Sequence, residues 1–176
     1  MKKTNINLQI YKQSLNNYKE INKRFLEYFN ETPEEESYYK SYKVYKADFK
    51  KSQDFTRNYI NYFFTHLSPY INEVGKELQC TKCTVSNVWF QQYQRKDYHP
   101  WHNHAKSNYT CIYFVELPEK LGTEFLNINV NDIHEGDLLT FPSSIMHRSP
   151  VNTTDKRKTI ISFNLDYEDY EGSLTI

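Results

Sequence analysis

Two stretches decide how the chain is read: Tyr98-His99-Pro100-Trp101-His102-Asn103-His104, and, about forty residues later, Gly136-Asp137-Leu138-Leu139-Thr140-Phe141-Pro142 with His147 just beyond it. One residue separates His102 from His104. On extended backbone alternate side chains share a face, so both imidazoles can converge on one ion. A turn glycine (Gly136), an apolar run (Leu138, Leu139, Phe141) and Pro142 then predict a second strand that delivers a third imidazole, His147. Neutral imidazole suits iron, copper, nickel or zinc, and three ligands on one side leave coordination positions open. Openness points to catalysis rather than scaffolding. The bland alternative is a set of exposed loop histidines, since four of the six histidines fall between residues 99 and 134 and some clustering is unsurprising. The separate delivery of His147 weighs against it.

Around these stretches the hydrophobic period is two. Short β-rich runs cover residues 84–94, 109–117, 123–129, 137–141 and 157–165, with Pro100, Pro118, Gly122, Gly136, Pro142 and Pro150 at or near their ends. This is the punctuation of an antiparallel sandwich or barrel. From about residue 12 to 78 the spacing is instead helical, as in Leu15, Tyr18, Ile21, Phe25 and Phe29. Thr32 before Pro33, with Glu35 following, reads as a capping box that starts a second helix. Ser52 and Ser68 read as further caps, for helices of roughly 53–66 and 69–78. Helices followed by strands predict an α+β chain, with the helices covering the outer face of one sheet. At 176 residues it is expected to be a single domain, 1–176, with a helical part over 1–80 and a β core over 84–165.

Lys plus Arg and Asp plus Glu both total 22, so no overall field would gather nucleic acid or an anionic membrane. No stretch approaches the roughly 18 apolar residues of a membrane span, and the start lacks the apolar run of a signal peptide. A soluble cytoplasmic protein is expected. Cys80, Cys83 and Cys111 cannot all pair, and the lone C-x-x-C lacks the second pair that a zinc site would use. They are read as ordinary reduced thiols.

Tyr98 to His104, Tyr113-Phe114, Gly136-Asp137, Phe141-Pro142-Ser143 and His147 together resemble the iron(II)- and 2-oxoglutarate-dependent oxygenases. Within that superfamily the chain looks most like small phage-encoded or bacterial proteins, distantly related to prolyl hydroxylases, whose motif is H-x-H rather than H-x-D. The resemblance covers roughly residues 84–165. It implies a double-stranded β-helix (a cupin-like jelly roll) and, in a phage setting, a place in the host cytoplasm. It also implies iron(II) on His102, His104 and His147, with 2-oxoglutarate and O2 as co-substrates. The reaction implied is hydroxylation with release of succinate and CO2.

The family anchors the distal carboxylate of 2-oxoglutarate on a basic residue of the penultimate strand. Arg157 and Lys158, ten and eleven residues after His147, both qualify, and alternation admits only one of them to the interior. The family ending Ser162-Phe163-Asn164 aligns Lys158 there, whereas an arginine would make the better bidentate fork, and the reading leans slightly to Arg157. A solvated basic edge is the plain alternative for the pair. Tyr113 is a further candidate for the same carboxylate, against a plain role as a core tyrosine. His99, Trp101, His134, Gln91, Gln92 and Tyr93 lie beside these elements and read first as ordinary residues.

His104 stands where better-known members carry an acid, so the metal would keep its full double charge until a dianion arrives. Two other readings stay open: a three-histidine cupin-type metalloenzyme without 2-oxoglutarate, and a non-catalytic jelly-roll binding module. The tyrosine-rich N-terminal half would shape substrate choice or form the face of a homodimer.

Overall fold

The structure, a computed structural model, describes residues 8–32, 37–39, 42–49 and 56–168. In chain order the elements are β1 (Tyr11–Ser14), α1 (Tyr18–Glu31), β2 (Ser37–Tyr39), β3 (Tyr42–Val44), β4 (Lys46–Ala47), α2 (Ile60–Glu77), β5 (Lys82–Tyr93), β6 (His99–His102), β7 (Tyr109–Glu116), β8 (Glu124–Phe125), β9 (Asp137–Pro142), β10 (His147–Ser149) and β11 (Lys158–Glu168). A six-stranded sheet runs β1-β9-β7-β11-β5-β4, and a three-stranded sheet runs β6-β10-β8. Every pairing in both sheets is antiparallel. β2 and β3 form a separate hairpin.

The large sheet separates two apolar cores. On its helical side Phe25, Phe29, Phe63, Leu67, Ile71 and Val74 meet Val88, Phe90, Cys111, Tyr113, Ile161, Phe163 and Leu165. The Phe29 and Phe90 rings stack at 4.3 Å, and Phe63 meets Phe163 edge-on at 4.9 Å. The other face carries Ile112, Phe114, Leu139, Phe141 and Ile160, which pack with Phe125 and Ile145 from the segments of the small sheet and its turn. Each strand therefore sends alternate residues to different cores. An extra residue in β5, with Asn87 at φ 49°, keeps this sorting: Ser86 pairs with Asn164 but Trp89 with Ser162, so Val85, Val88 and Phe90 all face the helical side.

The N-terminal part departs from its expected helices. Residues 11–14 extend the large sheet beyond β9, and 46–47 extend it beyond β5, because open strand edges there accept further hydrogen bonds. Thr32 closes α1 instead of opening a second helix: its backbone is extended, and its N–H donates back to the Phe29 carbonyl. A residue that precedes proline is steered out of the helical region, which here outweighs the capping pattern. Residues 37–39 and 42–44 are strand where a second helix was expected, and Glu35 and Ser52 lie outside the described residues. The helices expected at 53–66 and 69–78 are one helix, 60–77, with Pro69 inside it. Phe63, Leu67, Ile71 and Val74 form one buried stripe across that proline, and at about 1.5–3 kcal/mol for each side chain the four together outweigh the roughly 3 kcal/mol proline penalty.

Gly136 makes the turn before β9 at φ +86°, and a Cβ there would lie 2.4 Å from Tyr18. Among the described residues no helix is long and apolar enough to cross a membrane. Phe90→Ala should lower unfolding stability by about 3–5 kcal/mol, because it removes a ring that is 0% exposed and stacked on Phe29. Urea denaturation checks this, and a loss well under 1 kcal/mol would contradict the packing of α1 on the sheet.

Candidate metal centre

His102 ends β6 and His147 begins β10, and the two are direct partners in the antiparallel ladder. Their rings lie 4.2 Å apart between centroids. His104 follows two residues beyond, where its backbone N–H donates to the Ser143 carbonyl at 2.9 Å. Its ring lies 5.4 Å from His102 and 5.2 Å from His147. One ring nitrogen from each of the three comes within 4.8 Å of the others.

The hydrogen bonds of the rings determine which nitrogen is available. Nδ1 of His147 faces the Ile145 carbonyl at 3.0 Å, and Nδ1 of His102 faces the Pro100 carbonyl at 2.8 Å. Nδ1 of His104 faces Asn164 Oδ1 at 2.7 Å. A carbonyl oxygen only accepts, so each Nδ1 carries the proton and each Nε2 keeps its lone pair. Burial also keeps the rings neutral. It lowers the pKa of His147 to about 3 and that of His102 to about 4, with repulsion from neighbouring histidines adding to the effect, and it lowers that of His104. These donors suit a first-row metal ion on three Nε2 atoms, as the fixed tautomer of a ligating histidine requires.

The three histidines line a cavity of about 320 Å³, with Trp89, Gln91, Tyr93, Ser149 and Asn164 among its other walls. Among the described residues that line it none is acidic. Lys158 lies just behind that wall, 1% exposed, and its Nζ donates to Ser149 Oγ at 2.8 Å. The ammonium also sits over the rings of Tyr93 and Phe114, at 5.6 and 5.9 Å from their centroids. Burial pulls its pKa down to about 7, with Glu124 opposing weakly.

The other two residues expected beside the co-substrate lie elsewhere. Arg157 points to the opposite side of the strand, where its Nε and NH2 clamp the Glu116 carboxylate at 2.8 and 3.0 Å. Alternation excludes it once Lys158 faces inward. Tyr113 belongs to the helical core, and its hydroxyl donates to Asn22 Oδ1 at 2.6 Å. Its neighbours Ile112 and Phe114 take the inward positions on β7. His99 lines the cavity, with Nδ1 2.9 Å from that of His102, and Tyr93 and Gln91 line it as well. His134 is exposed on a loop. Trp101 is outside the cavity, against the Arg148 guanidinium at 4.7 Å. Ser149, Ser162 and Asn164 also line the cavity, although the sequence pattern did not mark them as site residues. Once Lys158 is taken as inward, counting in twos along β11 finds Ser162 and Asn164.

No protein-family model and no curated protein matches the sequence. Solved structures do match it. A viral collagen prolyl hydroxylase from Paramecium bursaria Chlorella virus-1, solved with 2-oxoglutarate, aligns with a TM-score of 0.59 at 12% identity, over 88% of this chain and 95% of that one. An oxidoreductase of the 2-oxoglutarate-Fe(II) oxygenase family from Burkholderia pseudomallei aligns at 0.65 and 7% identity, over 84% and 81%. A prolyl-4-hydroxylase from Pseudomonas putida aligns at 0.60 and 9%, over 88% and 91%. The fold is that of the 2-oxoglutarate-Fe(II) oxygenases.

These buried groups give the protein a pH dependence. His102 and His147 bind fewer protons in the fold than in the unfolded chain between their usual value of 6.5 and about 3–4, so the stability of metal-free protein is lost as pH falls through that window. Lys158 acts with the same sign between about 7 and 10.5, so its burial cost is greatest below pH 7 and vanishes above 10.5. Lys158→Met should therefore raise the Tm of metal-free protein at pH 6 and lose most of that gain by pH 11. Equal shifts at the two pH values would contradict a buried ammonium.

Proposed function

We propose that the chain is an iron(II)- and 2-oxoglutarate-dependent dioxygenase that hydroxylates its substrate, with residues 1–176 acting as one domain and the two sheets as the halves of a double-stranded β-helix. His102, His104 and His147 would hold the metal, and Lys158 would anchor the distal carboxylate of 2-oxoglutarate. The observation that carries this reading is Lys158: a buried ammonium, with a hydroxyl and two aromatic rings around it, behind the same cavity wall as three neutral imidazoles. A buried cation is costly unless an anion compensates it. A short dianion that reaches from the metal to Lys158 would meet that need at one end and the uncompensated metal charge at the other. Ser149 and Tyr93 would complete the carboxylate pocket with their hydroxyls.

Iron(II) with 2-oxoglutarate supplies oxygen activation, by which the keto acid is oxidised to succinate and CO2 while a C–H bond is hydroxylated. The chain's own contribution is to hold three Nε2 lone pairs on one side of the cavity and to fix one end of the co-substrate. Trp89, which carries Phe49 edge-on at 5.0 Å, walls the cavity on the side of His104 and would limit the approach of water and substrate. A three-histidine metalloenzyme without 2-oxoglutarate would leave Lys158 with no anion to bind, which favours the oxygenase reading over the cupin-type and binding-module readings.

Anaerobic addition of iron(II) and 2-oxoglutarate should produce a visible metal-to-ligand charge-transfer band, absent in His102→Ala and His147→Ala. Stoichiometric iron binding with no band in the wild-type protein would refute 2-oxoglutarate chelation. In the same assay Lys158→Met should weaken 2-oxoglutarate by roughly thirtyfold or more, as expected when a buried charge pair costs about 2–5 kcal/mol to break, and leave iron binding intact. Arg157→Ala and Tyr113→Phe should leave the 2-oxoglutarate titration unchanged. A large loss in Arg157→Ala alone would instead assign the carboxylate to Arg157.

A further inference from the structure

His102 and His147 are oriented locally, each by a backbone carbonyl two residues earlier in the chain. His104 is held differently. Its Nδ1 lies 2.7 Å from Asn164 Oδ1 and 3.0 Å from Thr110 Oγ1, side chains 60 and 6 residues away. Thr110 and Asn164 are direct cross-strand partners on β7 and β11, 0% and 8% exposed, and both line the cavity. The Thr110 hydroxyl is also placed to donate to Asn164 Oδ1, at 3.4 Å, so the hydroxyl and the His104 ring converge on the same amide oxygen. Ser143 secures the other side, with its hydroxyl 2.8 Å from Thr110 Oγ1 and its carbonyl accepting the His104 backbone N–H.

From this arrangement we infer that Asn164, supported by Thr110, is a positioning residue that sets the tautomer and orientation of His104 and so completes the three-histidine metal site. This rests on the metal reading of the site proposed above. An amide oxygen can only accept, so the proton stays on Nδ1 and Nε2 keeps the lone pair that a metal needs. Without Asn164 the ring would have only the Thr110 hydroxyl, which can donate as well as accept and so leaves both tautomers open. A carboxylate in place of the amide would restore the accepting partner.

The test is cobalt(II) titration of the full-length protein in the absence of 2-oxoglutarate, with affinity and visible d–d spectrum as readouts and thermal melts run in parallel. Asn164→Ala should bind cobalt about tenfold to a hundredfold more weakly than wild type, with altered d–d bands, as for loss of a hydrogen-bond partner behind a metal ligand. Asn164→Asp should return affinity to the wild-type level or above, a rescue that a purely structural role in the sheet would not produce. Wild-type affinity and spectrum in Asn164→Ala, or an Asn164→Asp protein as weak as the alanine variant, would overturn the inference. If Asn164→Ala fails to fold, Asn164→Asp decides alone: affinity at or above wild type sustains it, and weaker binding overturns it. Cobalt binding that survives His102→Ala would sink the metal reading itself and this inference with it, whereas a missing 2-oxoglutarate band in the wild-type protein would refute the proposed co-substrate and leave the cobalt comparison standing.

Discussion

A strand buried on both faces must satisfy two environments with one alternating series of side chains, and β11 carries that constraint for the whole molecule. It lies between β7 and β5 in the large sheet. Ile161, Phe163 and Leu165 enter the core shared with α1 and α2, while Lys158, Ile160, Ser162 and Asn164 turn towards the cavity or the core beside it. A slip of one residue would exchange the two sets, driving an ammonium, a hydroxyl and an amide into the aromatic core and opening phenylalanine to the cavity. The register of β11 is therefore held by packing and by polar chemistry together. The extra residue in β5 matters for the same reason, since it lets the partner strand keep its own alternation in step across Asn87.

The small sheet depends on this arrangement. Its three strands are short, and two of them contribute His102 and His147 as direct ladder partners. Phe141 from the large sheet meets the His147 ring edge-on at 4.9 Å and Phe125 at 4.9 Å, so the apolar core between the sheets also buttresses one member of the histidine cluster. Burial that stabilises the fold thus withholds protons from the imidazoles, which is the condition for their lone pairs to serve as ligands. The same burial leaves Lys158 with an expensive charge. Stability and site chemistry pull in opposite directions at that residue, a common consequence of building a polar pocket inside a packed domain.

The β half was legible because its strands alternate and are bounded by glycine and proline, and the expected runs near 84–94, 109–117, 137–141 and 157–165 are strands with ends displaced by a few residues. The N-terminal half was less legible. Thr32-Pro33 is a capping signal read forwards and a termination signal read backwards, and only the packing of Phe25 and Phe29 against the sheet shows which applies. Strands β1 and β4 have too few residues to show a period, and they are strands because an edge of the large sheet is there to receive them. Arg157 and Lys158 are adjacent and similarly charged, so spacing alone left the choice between them open. Glu116, on the neighbouring strand, takes the arginine.

By itself the sequence determined the pattern that must fold as β, the His-x-His pair whose rings share a face, and the later strand that carries a third histidine. These are local properties, since period and spacing are written along the chain. Only the tertiary structure decided that the three rings meet, that Lys158 rather than Arg157 or Tyr113 lies behind the cavity wall, and that Asn164 and Thr110 stand at the back of His104. Those relations join residues as many as 60 positions apart, and they exist only once antiparallel pairing has set the register and burial has assigned each side chain to a face.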